Sequence, residues 1–218
     1  MKITIIGAGS LGGFTALLLA KMAAGFKWSI RLCDFDKVEP HNQLNQLFQK
    51  TDVGMKKVEA LRNLLQILGD ADITISDERI MKDSKLDGIV IVLVDSMKSR
   101  KAILEAARYR ANIPLVIEAR SGGDVAAIYA FDPRNPDSLR RYEDTLHDDE
   151  EAVPAPCADS QTVDIIFVIA SLIGRFMALH AKGKLNGFIE ALINFENHNL
   201  PVITVDGKIA DVRKLFEK

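Results

Sequence analysis

The chain has 218 residues, of which 48% are hydrophobic and 27% charged, so it has the composition of a globular protein that can bury a sizeable core. Its net charge of −2 gives no sign of a nucleic-acid-binding protein. The two cysteines, Cys33 and Cys157, are too far apart for a CxxC pair and too few for a disulfide framework, which indicates a reducing, cytoplasmic environment.

Short runs rich in β-branched residues alternate with helix-period segments through the first part of the chain. Strands are predicted at residues 3–6, 29–33, 73–76, 89–94 and 114–117. Helices are predicted at residues 11–24, 57–68 and 99–111. This alternation predicts an α/β fold, a Rossmann-like and mostly parallel sheet with helices on both faces. Because the first strand begins at the start of the sequence, no signal or transit peptide is expected.

The middle of the chain is less regular. A further strand is predicted at residues 125–131. Residues 133–161 then contain four of the seven prolines and an acidic run at 143–151. Because prolines and like charges resist regular structure, this segment is expected to be a mobile loop or a crossing connection.

Residues 162–181 form a predicted helix that is apolar on nearly all sides. The longest apolar run in it, 165–174, is too short to cross a bilayer, so no membrane span is expected. A helix this apolar lies in the centre of a core or in a subunit interface, and we expect a homodimer in which it is part of the buried surface. Antiparallel strands at 187–195 and 201–205 follow, with a helix at 211–218.

A glycine-rich loop with the sequence GAGSLGG follows the first strand. Gly7 permits the tight turn into a helix, Gly9 lets a phosphate approach the backbone, and Gly12 lets helix and strand pack closely. Asp34 follows Gly12 by 22 residues, at the end of the second strand, where a carboxylate can accept both ribose hydroxyls. These features predict a nucleotide site but fit NAD, FAD, S-adenosylmethionine or ATP equally.

Polar side chains continue beyond Asp34 at Asp36, Asn42, Asn45 and Gln46. Ligands of open parallel sheets bind beyond the carboxyl ends of strands, which is where this segment falls. A dinucleotide enzyme needs no particular residues here, so the cluster indicates further chemistry.

Two more segments complete the ordered series. Asp52 is predicted to cap a helix whose first turn contains Lys57, where the helix dipole disfavours a cation and a functional role is therefore indicated. Asp95 ends the predicted strand at 89–94 and is followed by Arg100.

In order, these segments match GxGxxG, DxDxVExxN, DVGxxK and DxxxxR. The set resembles the ThiF/MoeB/HesA superfamily, which includes the ubiquitin-activating enzymes, over about residues 3–120 and more weakly to residue 181. The resemblance implies one adenylation domain, with a nucleotide-binding core at 1–118 and a crossing loop, long helix and terminal strands at 119–218. It also implies a reaction in which the C-terminal glycine carboxylate of a small ubiquitin-like or sulfur-carrier protein attacks the α-phosphate of ATP, giving an acyl-adenylate and pyrophosphate.

The resemblance implies a role for each matching residue. Nucleotide-binding residues would be Gly7, Gly9, Gly12, Asp34, Asp36, Asn45 and Gln46. Asn42 and Lys57 would contact the reacting phosphates, and Asp95 would hold a magnesium ion, since a carboxylate attacking a polyphosphate brings negative charges together. Cys157 occupies a position similar to the loop cysteine of the family that takes up acyl or sulfur. A helix N-terminus nearby would lower its pKa, whereas the acidic run upstream would raise it.

The sequence departs from the family pattern in three places. Asn45 stands where the family has an arginine, so Arg100, Arg120 or a partner chain would have to supply the missing cation. The sequence starts at the first strand, so the N-terminal helix that often supplies an arginine to the neighbouring subunit is expected to be absent. Paired CxxC motifs are missing, and two cysteines cannot supply four thiolates, so no structural zinc is expected.

Two other functions remain open from the sequence. An NAD(P)-dependent oxidoreductase would explain the glycine loop and Asp34, but it would not explain the segments around Lys57 and Asp95. A non-catalytic nucleotide-binding subunit of a two-chain activating enzyme is suggested by the missing arginine at Asn45. ATP–pyrophosphate exchange distinguishes these hypotheses from an active adenylating enzyme.

Overall fold

A computed structural model describes residues 1–122, 125–147 and 163–195, together with the backbone of residues 202–205 and 208–209. The strands in these parts are β1 (Lys2–Ile6), β2 (Ser29–Cys33), β3 (Asp72–Ser76), β4 (Ile89–Val92), β5 (Val116–Gly122), β6 (Val125–Phe131), β7 (Ile189–Asn194), β8 (Val202–Val205) and β9 (Lys208–Ile209). The helices are α1 (Ser10–Phe26), α2 (Lys57–Leu68), α3 (Met97–Ala107), α4 (Pro136–Glu143) and α5 (Val163–Ala181).

All of these strands belong to one sheet, in the order β3-β2-β1-β4-β5-β6-β7-β8-β9. The five strands from β3 to β5 are parallel, with Ile6 opposite both Cys33 of β2 and Val92 of β4. The strands from β6 onward add to this sheet in antiparallel pairings. The predicted Rossmann-like sheet with antiparallel C-terminal strands is therefore confirmed.

Side chains of the parallel strands alternate between two buried faces. In β4, Ile89 and Ile91 pack toward α1, α2 and α5, whereas Val90 and Val92 pack toward α3 and α4. All four residues of β4 are buried, because helices cover both sides of a parallel sheet. Residues that come after the strand ends are therefore the ones available to a ligand.

The structure corrects the expectation of a continuous loop at 133–161, because α4 lies within it. The Asn135 side chain caps α4 by accepting hydrogen bonds from the backbone N–H groups of Asp137 and Ser138, each at 3.0 Å. Pro136 occupies the first turn, where proline is tolerated because its missing N–H is not needed. The prolines that suggested a loop thus include a helix-initiating one, and residues 148–162 lie outside the described parts.

Strand ends also differ from the prediction. β4 ends at Val92, two residues earlier than expected, and β5 continues to Gly122 instead of ending at 117. The extension of β5 is paired with β6, where Ser121 lies opposite Ala126. Residues 119–122 of β5 therefore extend beyond the last residue of β4 and pair with β6.

The long apolar helix α5 packs within its own chain. Ile165, Ile166, Ile169, Ile173 and Phe176 are buried, and Val168 and Leu172 are partly buried against the same core. A Cβ on Gly174 would lie 2.8 Å from the Leu18 side chain of α1, so glycine allows the two helices to approach closely. Intramolecular packing thus accounts for the apolar character that suggested a dimer interface, although Phe167 remains 52% exposed.

Length and composition alone would let one helix of the described parts, α5, cross a membrane, which differs from the expectation based on its longest apolar run. This is weak evidence for a span, because a core helix passes the same test. Eight residues of α5 are buried within the fold, as expected of a core helix.

Candidate functional site

The predicted site residues meet at the carboxyl ends of β1, β2 and β4, which are neighbours in the sheet. The glycine loop follows β1, Asp34 follows β2, and Asp95 follows β4 after two residues. Lys57, the first residue of α2, reaches the same edge by contact with Asp36. We call this group the strand-end site, and it lies where ligands of open α/β sheets bind.

Three of the four glycines of the loop, Gly7, Gly9 and Gly12, differ in the physical reason for which glycine is needed. Gly7 has a φ of +100°, and a Cβ there would lie 2.4 Å from the Leu93 carbonyl oxygen. A Cβ on Gly12 would lie 1.9 Å from the Gly7 carbonyl oxygen. A Cβ on Gly9 would meet no heavy atom within 4 Å. Gly7 and Gly12 are thus required by packing, whereas Gly9 faces space that a ligand can enter.

Gly9 is also the N-cap residue of α1 and has no side chain to cap the helix. No acidic residue lies in the first turn of this 17-residue helix. The N–H groups of a first helical turn point outward and carry the positive end of the helix dipole. The open space at Gly9 therefore faces a group of donors suited to a phosphate.

The Asp34 carboxylate is held in place by the backbone around it. Its Oδ2 accepts a hydrogen bond from the Ala8 N–H at 2.7 Å, and its Oδ1 accepts one from the Asp36 N–H at 2.8 Å. Each oxygen has a second lone pair, so the carboxylate can still accept ribose hydroxyls. The next residue, Phe35, is 39% exposed and has the Arg79 guanidinium carbon 3.8 Å from its ring centroid, a flat surface that sequence interpretation missed.

Asp36 holds Lys57. The Lys57 ammonium lies 3.3 Å from Asp36 Oδ2, and the Lys57 backbone N–H donates to the Asp36 carbonyl at 2.9 Å. The Lys57 side chain is only 12% exposed, and its contact with Asp36 holds its ammonium group at the strand-end edge of the sheet. The contact places Asp36 beside a cation, and the contact between Asp36 and the nucleotide that the resemblance implied stays a prediction.

The predicted cap at Asp52 is wrong. Asp52 ends a short 3-10 turn, Lys50–Asp52, where its Oδ2 accepts the Gln49 N–H at 2.8 Å. Helix α2 begins at Lys57 itself, with Lys56 as the N-cap residue. The Asp52 carboxylate closes a capping box with Gln49 in this 3-10 turn. Four residues, 53–56, separate Asp52 from the start of α2.

The amide segment packs against the glycine loop. Asn42 is 4% exposed, and its Oδ1 accepts the Glu39 N–H at 2.8 Å, which leaves its amide N–H donors for other partners. The carbonyl of Asn45 accepts the Ser10 hydroxyl at 2.5 Å, which connects this segment to the first residue of α1. Gln46 Oε1 is buried without a hydrogen-bond partner among the described residues. The structure thus brings Asn42, Asn45 and Gln46 to the strand-end site.

Asp95 lies exposed in the turn between β4 and α3. Its carboxylate has no hydrogen bond or ion pair with other described residues. Carboxylate oxygens suit magnesium, which is usually bound by one or two carboxylates together with substrate phosphates and water. In the described ranges, no group of three or more histidine, cysteine or acidic side chains is arranged so that it could hold a metal ion. Asp95 therefore fits a magnesium ion that takes its other ligands from a bound nucleotide.

A buried network of three charges lies behind Asp95 and was not predicted. Glu118 is fully buried and accepts hydrogen bonds from Arg100 Nε at 2.8 Å and from Arg120 Nη2 at 2.8 Å. Burial alone would lower the pKa of Arg120, but the charge and hydrogen bonds of Glu118 raise it above its usual value. Both arginines proposed as substitutes for the missing family arginine are therefore already paired with one carboxylate.

Of the two cysteines, Cys33 lies in the described part of the chain and is buried. Burial raises the pKa of the Cys33 thiol to about 11, so this side chain is a protonated core group at neutral pH. Its carbonyl accepts the Gly7 N–H at 2.9 Å, and its role in the site is through the backbone. Cys157 lies outside the described residues, and its predicted role stays a prediction.

The chain belongs to the ThiF family, whose model matches residues 1–214. Ubiquitin-like modifier-activating enzyme 5 of Caenorhabditis elegans is 29% identical over 118 residues, covering 46% of this chain and 27% of that protein. The enzyme of the same name from Xenopus laevis is 29% identical over 119 residues, covering 46% of this chain and 29% of that protein. This chain therefore spans less than a third of the length of these curated relatives.

Solved structures share the fold. A structure of PaaA matches with a TM-score of 0.68 and 19% identity, covering 93% of this chain and 72% of that one. E. coli MccB with ATP matches with a TM-score of 0.67 and 20% identity, covering 96% and 65%. MccB with AMPCPP and MccA matches with a TM-score of 0.66 and 19% identity. At these identities the likeness confirms the ThiF-type fold.

Proposed function

We propose that this protein uses ATP to adenylate the C-terminal glycine carboxylate of a ubiquitin-like or sulfur-carrier protein. The observation that supports this most strongly is the combination of Lys57 and Asp95 with a phosphate-binding loop at one edge of the sheet. A cation and an exposed carboxylate are what a reaction at a polyphosphate needs in addition to nucleotide binding. Membership of the ThiF family supports the same activity.

In the proposed step, a carboxylate oxygen of the substrate forms a bond to the α-phosphorus of ATP, and the bond from that phosphorus to the bridging oxygen breaks. Pyrophosphate leaves with the electron pair, and the products are an acyl-adenylate and pyrophosphate. Lys57 would offset the charge that develops on the phosphates, and Asn42 would donate its amide N–H groups to them. A magnesium ion held by Asp95 would supply further charge neutralisation.

The remaining residues would hold the nucleotide. Phosphates would occupy the open space over Gly9, against the first turn of α1, and Asp34 would accept the ribose hydroxyls. Asp36 would keep the Lys57 ammonium in place through their 3.3 Å contact. The nucleotide-binding groups thus follow β1 and β2, and the groups proposed to act on the phosphates lie between β2 and α2, on α2 and after β4.

Transfer of the acyl group to Cys157 is a second proposed step. The thiolate sulfur would attack the carbonyl carbon of the adenylate, forming a thioester and releasing AMP. This step follows adenylation, so loss of Cys157 would leave the first step intact. We also propose that the chain works as one adenylation domain in the cytoplasm.

We propose a homodimer on different grounds from those of the sequence, since α5 buries eight of its 19 residues within its own chain. Arg100 and Arg120 are paired with Glu118, so of the three sources considered for a cation in place of the family arginine, a partner chain is the one that remains. Sedimentation at micromolar concentration with and without ATP would test this, with a dimer expected. A monomer in both conditions would contradict it.

The pairing of Arg100 and Arg120 with Glu118 also favours a second hypothesis, in which the chain is a nucleotide-binding subunit without its own activity. ATP–pyrophosphate exchange separates the hypotheses. Exchange that depends on an added ubiquitin-like protein ending in Gly-Gly supports adenylation, and nucleotide binding without turnover supports the subunit hypothesis. Hydride transfer with NAD(P)H would instead support the oxidoreductase that the glycine loop and Asp34 left open.

A further inference from the structure

The buried carboxylate of Glu118 is divided between two arginines. Its Oε1 accepts from Arg100 Nε at 2.8 Å, and its Oε2 accepts from Arg120 Nε at 3.1 Å and Nη2 at 2.8 Å. Glu118 is opposite Val92, the last residue of β4, so it lies where the parallel sheet ends. A fully buried carboxylate is costly unless paired, and here both of its oxygens are paired.

Arg100 uses its other donors on the turn that contains Asp95. Nη2 donates to the Val94 carbonyl at 2.5 Å, and Nη1 donates to the Asp95 carbonyl at 3.2 Å. These carbonyls lie beyond the end of β4, where no strand ladder holds the chain. The neighbouring Leu93 carbonyl approaches Gly7 so closely that a Cβ there would overlap it. Arg100 therefore holds a turn that also packs against the glycine loop.

Arg120 extends the network in the opposite direction. Nη1 donates to the Thr145 carbonyl at 3.0 Å, and Nη2 donates to the Thr145 hydroxyl at 3.1 Å. The guanidinium also lies 4.9 Å from the Tyr129 ring centroid. One carboxylate in the middle of β5 thus links this strand to the Asp95 turn and to the turn after α4.

We propose that Glu118 is a positioning residue that acts through Arg100 to set the place and direction of the Asp95 carboxylate. The proposal rests on the proposed function, in which Asp95 holds the magnesium ion of bound ATP. The direction matters because magnesium demands nearly ideal octahedral geometry, and groups that orient a ligand commonly change metal affinity about 10- to 100-fold. Arg120 holds the second oxygen of Glu118 and so fixes the carboxylate that aligns Arg100.

The first test measures the turn itself and needs no nucleotide. In Arg100→Lys, the ammonium cannot reach the carboxylate and two carbonyls with the geometry of a guanidinium fork. Amide hydrogen exchange in the peptide covering 93–97 is expected to accelerate about tenfold, while the peptide covering β1 stays as protected as in the wild type. Equal acceleration of both peptides, or none at 93–97, would overturn the proposal.

Arg108→Lys is a matched control, because Arg108 follows α3 and also pairs with acidic side chains, Glu105 and Glu143. It should leave exchange at 93–97 unchanged. Glu118→Gln gives a second way to loosen the turn, since its amide oxygen can accept from one arginine while its NH₂ group faces the other. If this variant does not fold, Arg100→Lys alone decides the question.

The second test measures ATP affinity by calorimetry, in EDTA and in magnesium, with Asp95→Asn as the reference. In EDTA, the ATP affinity of Arg100→Lys should be within about twofold of that of the wild type. The increase in ATP affinity caused by magnesium should be about 10- to 100-fold smaller than in the wild type, as is also expected of Asp95→Asn. Retention of the full gain in Arg100→Lys would refute positioning. A wild type that binds no ATP would refute the proposed function, while exchange at 93–97 would still decide the role of Glu118.

Discussion

Gly9→Ala separates the phosphate-binding role of the glycine loop from its role in packing. A Cβ at Gly9 meets no heavy atom within 4 Å, whereas at Gly12 it would lie 1.9 Å from the Gly7 carbonyl oxygen. We therefore expect the free energy of unfolding of Gly9→Ala to stay within about 1 kcal/mol of the wild type. Gly12→Ala should lose about 3 kcal/mol, because backbone rather than a flexible side chain must move.

The effect of Gly9→Ala on ATP affinity should be large, in contrast to its small effect on stability. A methyl group over Gly9 would occupy the space in which phosphates approach the first turn of α1, so ATP affinity should fall at least about tenfold, or 1.4 kcal/mol. Calorimetric titration with ATP measures this, and urea unfolding measures stability. Gly25→Ala is the control, since its Cβ also has open space at the far end of α1. Wild-type ATP affinity in Gly9→Ala would refute the phosphate site.

Lys57→Ala and Asp95→Ala should each lower adenylation about 10²- to 10³-fold with the fold intact, and near-wild-type exchange in both would contradict their roles. 2′-Deoxy-ATP should bind about 1–3 kcal/mol more weakly than ATP if Asp34 accepts ribose hydroxyls, and equal affinities would remove Asp34 from the site. Because burial raises the pKa of Cys33 to about 11, alkylation of the native protein at pH 8 should label Cys157 alone. Cys157→Ser should keep ATP–pyrophosphate exchange but abolish any reducible adduct with the partner, and a surviving adduct would exclude this cysteine.

The parallel core was predictable because its signals are local. Strands such as β1 and β4 are short and rich in β-branched residues, and because helical segments between successive strands predict a parallel sheet, the carboxyl ends of the strands are expected at one edge. Gly7, Asp34 and Asp95 could therefore be assigned to one site from their positions after strands. The separate roles expected of Gly9 and Gly12 from the sequence also agree with the geometry, since Gly9 faces open space and Gly12 is required by packing.

The errors arose where a residue has two uses. Pro136 was counted as a helix breaker, although proline also begins helices, and so α4 was missed. Asp52 was assigned to the helix that follows, but it caps a nearer turn. The network of Arg100, Glu118 and Arg120 joins α3 to β5, and its only trace in the sequence is a charged pair within an apolar strand.

In the proposed reaction, a substrate carboxylate becomes joined to AMP on this protein. The most direct test incubates the purified protein with ATP, magnesium and a ubiquitin-like protein ending in Gly-Gly, and measures the intact mass of that protein after an acid quench. We expect a species heavier by one adenylyl group, absent when ATP is omitted and strongly reduced in Lys57→Ala. An unchanged mass, under conditions in which ATP binding is demonstrated, would contradict adenylation and favour the non-catalytic subunit.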